Sequence, residues 1–169
     1  MKQNKLKFNA LSLSEIGFGA SPLGNVYQPI SLNEAKQCVS TALDAGITYF
    51  DVAPYYGLSL AEQVLGQCLP KNKSNIQLST KIGRYNKTNF DYSKKKTESS
   101  LFESMQRLKT DYLDIVFCHD IEFANITQLN QESLPFLETC KQKGIIGSVG
   151  ISGYPLPLLS DVSKHEIVT

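Results

Sequence analysis

The chain has 169 residues, of which 41% are hydrophobic and 20% charged, which is enough length and apolar content for one domain around one core. Its formal net charge of +1 argues against a broad electrostatic grip on nucleic acid or an anionic membrane. Four scattered cysteines form no C-x-x-C pair and no metal cluster, the polar start MKQNKLKFNA has no signal-peptide core, and no run approaches the roughly 20 apolar residues of a membrane span, so a reduced, cytoplasmic chain is expected.

In chain order, KLKFNALSLSE reads as a polar, hairpin-forming start, and Ile16 to Phe18 as a short strand entering the loop GASPLG. SLNEAKQCVSTALDAG is a helix: Ser31 is placed as N-cap, Glu34 as its reciprocal cap, and Ala35, Val39, Ala42 and Leu43 lie along one side. ITYFDV follows as a strand, then SLAEQVLGQCL as a second helix with the same capping pattern in Ser59 and Glu62. NIQLSTKIG is a strand, and SKKKTESSLFESMQRLK a helix with Leu101, Met105 and Leu108 on one stripe. DYLDIVFCH is a strand, SLPFLETCKQKG a helix with Pro135 in its first turn, and IIGSVGIS a strand. PLPLLSDVSKHE reads as a last helix and IVT as the start of a further strand.

Five strand-then-helix units with short connections predict an α/β fold with a parallel sheet, because each crossover helix returns the chain to the same edge. Either a flavodoxin-like open sheet or a (β/α)₈ barrel fits that order, and the dinucleotide fingerprint G-x-G-x-x-G is missing after the first strand. The polar residues separate the two. Asp51, Lys81, His119 and Ser152 stand at the C-terminal ends of four successive strands, and the C-terminal rim of a barrel is where active sites lie. Alternation along the strands puts Tyr49 with Asp51, Gln77 and Ser79 with Lys81, and Ser148 and Gly150 with Ser152, so these groups can all point inward. Asp114 falls on the face opposite His119, and the pattern offers no role for it.

Each residue alone has an ordinary reading: a strand-end aspartate is commonly a cap, an exposed lysine is solvated, and a tyrosine or histidine is packed or hydrogen-bonded. Together they suit proton transfer. A tyrosine with a reference pKa near 10 needs a cation nearby to work as an acid-base group at neutral pH; Lys81 is placed to supply it to Tyr56, and Asp51 to hold the ammonium. A histidine then positions a carbonyl or hydroxyl oxygen beside the phenol, and the carbonyl/alcohol interconversion that results needs a hydride carrier from outside the chain.

FDVAPYYGLSLAEQVLG, LSTKIGR, YLDIVFCHDIEF and VGISGYPL together resemble the aldo-keto reductase superfamily, a TIM-barrel family of NAD(P)-dependent oxidoreductases with an Asp/Tyr/Lys/His tetrad. The resemblance implies that Asp51, Tyr56, Lys81 and His119 are that tetrad, with Tyr56 as acid in reduction and base in oxidation, and Tyr55 the lesser candidate. GFGASPLGNVY, APYYGLSLAE, KIGRYN, CHDIEF and GISGYPL are most similar to the L-galactose dehydrogenase branch, which implies oxidation of an aldose at C1 to an aldonolactone. It also implies cofactor contacts at Ser152, where the family's Ser-Asn pair is here Ser-Gly, and along the first loop at Ala20 and Ser21, with NAD or NADP as cofactor.

A full barrel takes roughly 250 residues. The expectation is therefore a C-terminally truncated, partial barrel of about five units, with open edges that favour self-association, aggregation or failure to fold, and weak or no catalysis by this chain alone. The alternatives are a general aldehyde or ketone reductase of the same superfamily, or a non-catalytic module that binds a partner, as channel β subunits of the superfamily do.

Overall fold

In a computed structural model, which describes residues 3–5 and 11–168, a two-stranded hairpin precedes a five-stranded parallel sheet with helices packed on one face. Strands β1 (Gln3–Lys5) and β2 (Ser12–Ser14) pair antiparallel, as the polar start predicts; the connecting residues 6–10 lie outside the described set. The parallel strands are β3 (Gly17–Gly19), β4 (Tyr49–Asp51), β5 (Gln77–Ile82), β6 (Leu113–Cys118) and β7 (Ile146–Ile151), adjacent in that order.

That order decides between the two architectures. A flavodoxin-like sheet reverses direction once; here every crossover advances by one strand the same way, which is how a barrel winds. Val168 forms a parallel bridge to Val149 of β7, where the next strand of a barrel would lie. Among the described residues β3 has no strand on its far side, and a cavity of about 740 Å³ bordered by Phe18, Ile30, Cys38 and Ile47 runs beside it. The sheet is thus part of a barrel whose β3 flank, among the described residues, carries no further strand.

Register sorts the side chains into two layers. Gly19, Asp51 and Ser79 lie abreast on the inner face, as do Lys81, Phe117 and Gly150. On the other face Phe18, Phe50, Leu78, Val116 and Val149 meet the helices, and the last four are buried in the core.

Helix α1 (Leu32–Asp44) begins with the predicted capping box: Ser31 Oγ accepts from the Glu34 N–H at 3.3 Å, and the Glu34 carboxylate accepts from the Ser31 N–H at 2.9 Å. Ala35, Val39 and Ala42 are buried beneath it.

Helix α2 (Leu60–Cys68) corrects the second capping prediction. Gly57, Leu58 and Ser59 all have positive φ, which turns the Ser59 hydroxyl away from the helix and toward the Pro54 carbonyl at 3.4 Å. Glu62, freed from capping, is fully buried, accepting from Thr80 Oγ1 at 2.5 Å and from Arg107 Nε at 2.7 Å.

Arg107 belongs to α3 (Lys94–Leu108), so this ion pair ties α2, β5 and α3 together. The two helices also touch through backbone: a Cβ on Gly66 would stand 2.1 Å from the Arg107 carbonyl oxygen. Gly66→Ala is expected to cost about 1–3 kcal/mol, read as a lower urea midpoint at unchanged m-value. A midpoint equal to the native one would show that the helices separate freely.

The helix expected from Ser133 starts earlier. Asn125 caps α4 (Ile126–Gln128), a π turn follows over Leu129–Ser133, and α5 (Leu134–Gln142) continues. The wide turn reflects Pro135, which has no N–H for an ordinary i−4 bond; just before it, the Leu134 N–H reaches Leu129 O instead. Helix α6 (Leu156–Val162) ends the run, with Leu156 exposed on its surface.

Candidate active site

The C-terminal ends of β4, β5, β6 and β7 deliver Asp51, Lys81, His119 and Ser152 to one rim, as alternation requires. Main-chain bonds continue the ladder past the strand ends and fix their heights: the His119 N–H donates to Ile82 O at 2.9 Å, and the Ser152 N–H to Cys118 O at 2.9 Å. Tyr56 arrives differently. Gly57, at φ 62°, lies against the 3₁₀ turn Ser21–Gly24 so closely that a Cβ there would be 2.1 Å from the Gly24 carbonyl, and this contact presses the Tyr56 turn onto the rim.

Lys81 sits at the centre. Its Nζ is 2.6 Å from both Asp51 oxygens and donates to the Val52 carbonyl at 3.0 Å, so all three donors are directed at one wall. Asp51 is held from below by Ser79 Oγ at 2.6 Å, which in turn meets Tyr49 OH at 2.9 Å. Lys81 Nζ lies 5.4 Å from the Tyr56 ring centroid. The His119 ring stands edge-on to both tyrosines, at 5.9 Å from Tyr56 and 6.0 Å from Tyr55. Tyr55 is covered on its face by the Arg84 guanidinium at 3.9 Å.

Electrostatics changes one expectation. Burial, with Asp51 and Asp120 adding to it, pushes the Tyr56 phenol up to about 12 instead of down. The Lys81 charge is answered by Asp51 at contact distance, which leaves little positive field for a phenolate. Burial lowers the Lys81 ammonium while Asp51 opposes that shift. Burial also lowers His119 to about 4 against the pull of Asp120, so its imidazole is neutral at neutral pH. The rim therefore holds a protonated phenol beside a neutral imidazole.

Ser152 Oγ accepts from the Asp120 N–H at 3.2 Å. The Ala20 methyl is fully buried in the core, so only the backbone of Ala20 is available to a ligand; its N–H is already given to Asp51 O at 2.8 Å. Ser21 is half-buried and lines a cavity of about 660 Å³ bordered by Tyr27, Tyr55, Tyr56, Leu58 and Asn86. Asp114 stands at the far end of β6, where it accepts from the Leu78 N–H at 2.8 Å and closes the start of the β5–β6 ladder. No metal-binding group of three acidic, His or Cys side chains occurs among the described residues.

Sequence reasoning missed Arg84, Tyr92 and Asp120. Arg84 forms an ion pair with Asp120, and Tyr92 OH donates to the His119 and Asp120 carbonyls. Only the adjacency of Asp120 to His119 was visible in the chain.

The family model described as "Aldo/keto reductase family" matches residues 15–169. The L-galactose dehydrogenase of Arabidopsis thaliana is 43% identical over 155 residues, covering 90% of this chain and 48% of that protein. The D-arabinose 1-dehydrogenase of Saccharomyces cerevisiae is 33% identical, covering 94% of this chain and 48% of its own length. The holo form of an aldo-keto reductase from Bacillus halodurans superposes with a TM-score of 0.86 at 29% identity, over 99% of this chain and 55% of that one. The chain thus spans about half the length of the relatives it matches.

Proposed function

Because the chain belongs to the aldo/keto reductase family, we propose that it contributes the catalytic half of an NAD(P)-dependent enzyme that oxidises an aldose at C1 to the aldonolactone. The supporting observation is Lys81 bound by both oxygens of Asp51 while standing beside the Tyr56 ring, with neutral His119 edge-on to that ring. In this reading Tyr56 exchanges the proton of the C1 hydroxyl, the Lys81–Asp51 pair positions the phenol, and His119 donates a hydrogen bond to the substrate oxygen. The similarity to L-galactose and D-arabinose dehydrogenases favours a sugar substrate.

The rim suits the nicotinamide end of a dinucleotide. Ser152 Oγ is occupied as an acceptor by the Asp120 N–H, which leaves its own O–H to donate. Glu122 Oε2 is buried without a donor among the described residues and lies 2.5 Å from where a Cβ on Gly153 would stand. The Ser152 O–H is the donor that this part of the rim offers to a carboxamide oxygen, beside the buried Glu122 carboxylate. When bound, the nicotinamide supplies the hydride acceptor.

The test is purification of the intact gene product that carries these residues, assayed with L-galactose, other aldoses and simple alcohols and aldehydes, with NAD and with NADP. Aldose-dependent NAD(P)H formation exceeding that with simple alcohols is expected. Reduction of simple aldehydes with no aldose oxidation would replace this reading with the general reductase. A folded product with no dinucleotide binding would replace it with the non-catalytic module.

A further inference from the structure

Asp120 is the residue at the rim whose conformation is costly and whose every polar group is engaged. It has φ 52° and ψ 59°, a left-handed backbone that a non-glycine residue adopts only at a cost in strain. Its N–H donates to Ser152 Oγ, its carbonyl accepts from Tyr92 OH at 3.2 Å, and its carboxylate pairs with the Arg84 guanidinium. The same carboxylate oxygen, Oδ2, lies 3.7 Å from His119 Nε2. Arg84 is itself fixed, stacked on Tyr55 at 3.9 Å and near Phe90 at 5.4 Å.

We propose that Asp120, pinned by Arg84, is a positioning residue that keeps the imidazole proton of His119 on Nε2. A neutral imidazole carries one N–H, and a carboxylate on the Nε2 side favours the tautomer whose N–H dipole points toward it. The other nitrogen, Nδ1, is buried and has no partner among the described residues, so nothing there competes for the proton. At 3.7 Å the Asp120 oxygen is too far to accept a hydrogen bond, and the Nε2 donor stays available to a substrate oxygen.

Arg84 has the second part of the task. A bare carboxylate this close would draw His119 toward the imidazolium, and the guanidinium on Asp120 offsets that pull. The other groups facing the ring are Lys81 of β5, Asp51 of β4, and the phenols of Tyr55 and Tyr56. Burial has the largest influence on the ring; among the charged groups Asp120 comes first, opposed by Lys81 and Arg84, and Lys81 is itself held at 2.6 Å by Asp51. The role assigned to the Nε2 donor rests on the reading of His119 as the group that meets the substrate oxygen; the tautomer itself does not.

Nitrogen-15 and carbon-13 NMR of histidine-labelled protein tests this directly, since the chain has two histidines and a His165→Gln variant assigns the signals. The native protein is expected to show the Nε2–H tautomer and a midpoint at about 4. Asp120→Gly, which tolerates the left-handed backbone, should give a tautomer mixture. Arg84→Met should raise the His119 midpoint by about one unit, and Arg84→Lys should restore most of it. In turnover, Asp120→Gly should lower kcat about tenfold with KM within about twofold.

An Nδ1–H tautomer in the native chain, or an unchanged tautomer and midpoint in both the Asp120→Gly and Arg84→Met proteins, overturns the proposal while leaving the function of Tyr56 standing. Expected spectra in a protein that oxidises no aldose overturn the functional reading instead, and with it the positioning role.

Discussion

Tyr56→Phe is expected to lower aldose oxidation by about 100-fold to 10,000-fold, the range of a lost general acid-base group, with little change in KM or in unfolding midpoint. The ring edge that meets His119 at 5.9 Å and the face near Lys81 at 5.4 Å survive this substitution; only the hydroxyl is removed. The native pH profile should carry the same signature. With the phenol raised to about 12 by burial and by Asp51, the proton stays on Tyr56 at neutral pH. Oxidation, which needs the phenolate, should therefore climb about tenfold per pH unit on the alkaline side, while reduction, which needs the phenol, should not. The phenylalanine protein should lack that rise. Retention of most of the native rate by Tyr56→Phe would move the chemistry to Tyr55, whose ring also stands edge-on to His119.

The second large effect is on stability. Arg107→Met should cost about 3–5 kcal/mol, because it leaves the fully buried Glu62 carboxylate with the Thr80 hydroxyl as its remaining side-chain donor among the described residues. Against the roughly 5–15 kcal/mol that holds a typical domain folded, such a loss puts a large share of the chain at risk of unfolding. Urea denaturation measures it. Replacing both partners, Glu62→Leu with Arg107→Leu, should recover most of the deficit, because an apolar pair carries no desolvated charge. An Arg107→Met midpoint within experimental error of the native one would mean that water reaches Glu62.

The contrast between the two S-x-x-E segments shows where reading a sequence stops. Ser31 and Glu34 form the capping box that the motif predicts, because the chain enters α1 with Ser31 in extended backbone. Ser59 and Glu62 have identical spacing, yet the turn before α2 runs through three left-handed residues and sends Glu62 into the interior. The motif describes four residues; the direction from which the chain enters the helix depends on Gly57 packing against Gly24, more than thirty positions away in sequence.

Periodicity and strand-end chemistry are local properties, so the sequence by itself determined the alternation of strands and helices, the inward face of each strand, and the four polar groups Asp51, Lys81, His119 and Ser152 with Tyr56 nearby. The tertiary structure decided the rest. The one-way winding of β3 to β7, the link of Asp114 to Leu78, the Glu62–Arg107 pair and the seating of Asp120 between Arg84 and His119 all join residues from different units. Such contacts depend on how adjacent strands twist and how far each crossover helix carries the chain, quantities that no single stretch of sequence encodes. The same holds for the charge state of the site: the phenol of Tyr56 rises because it is buried, and burial is a property of the assembled rim.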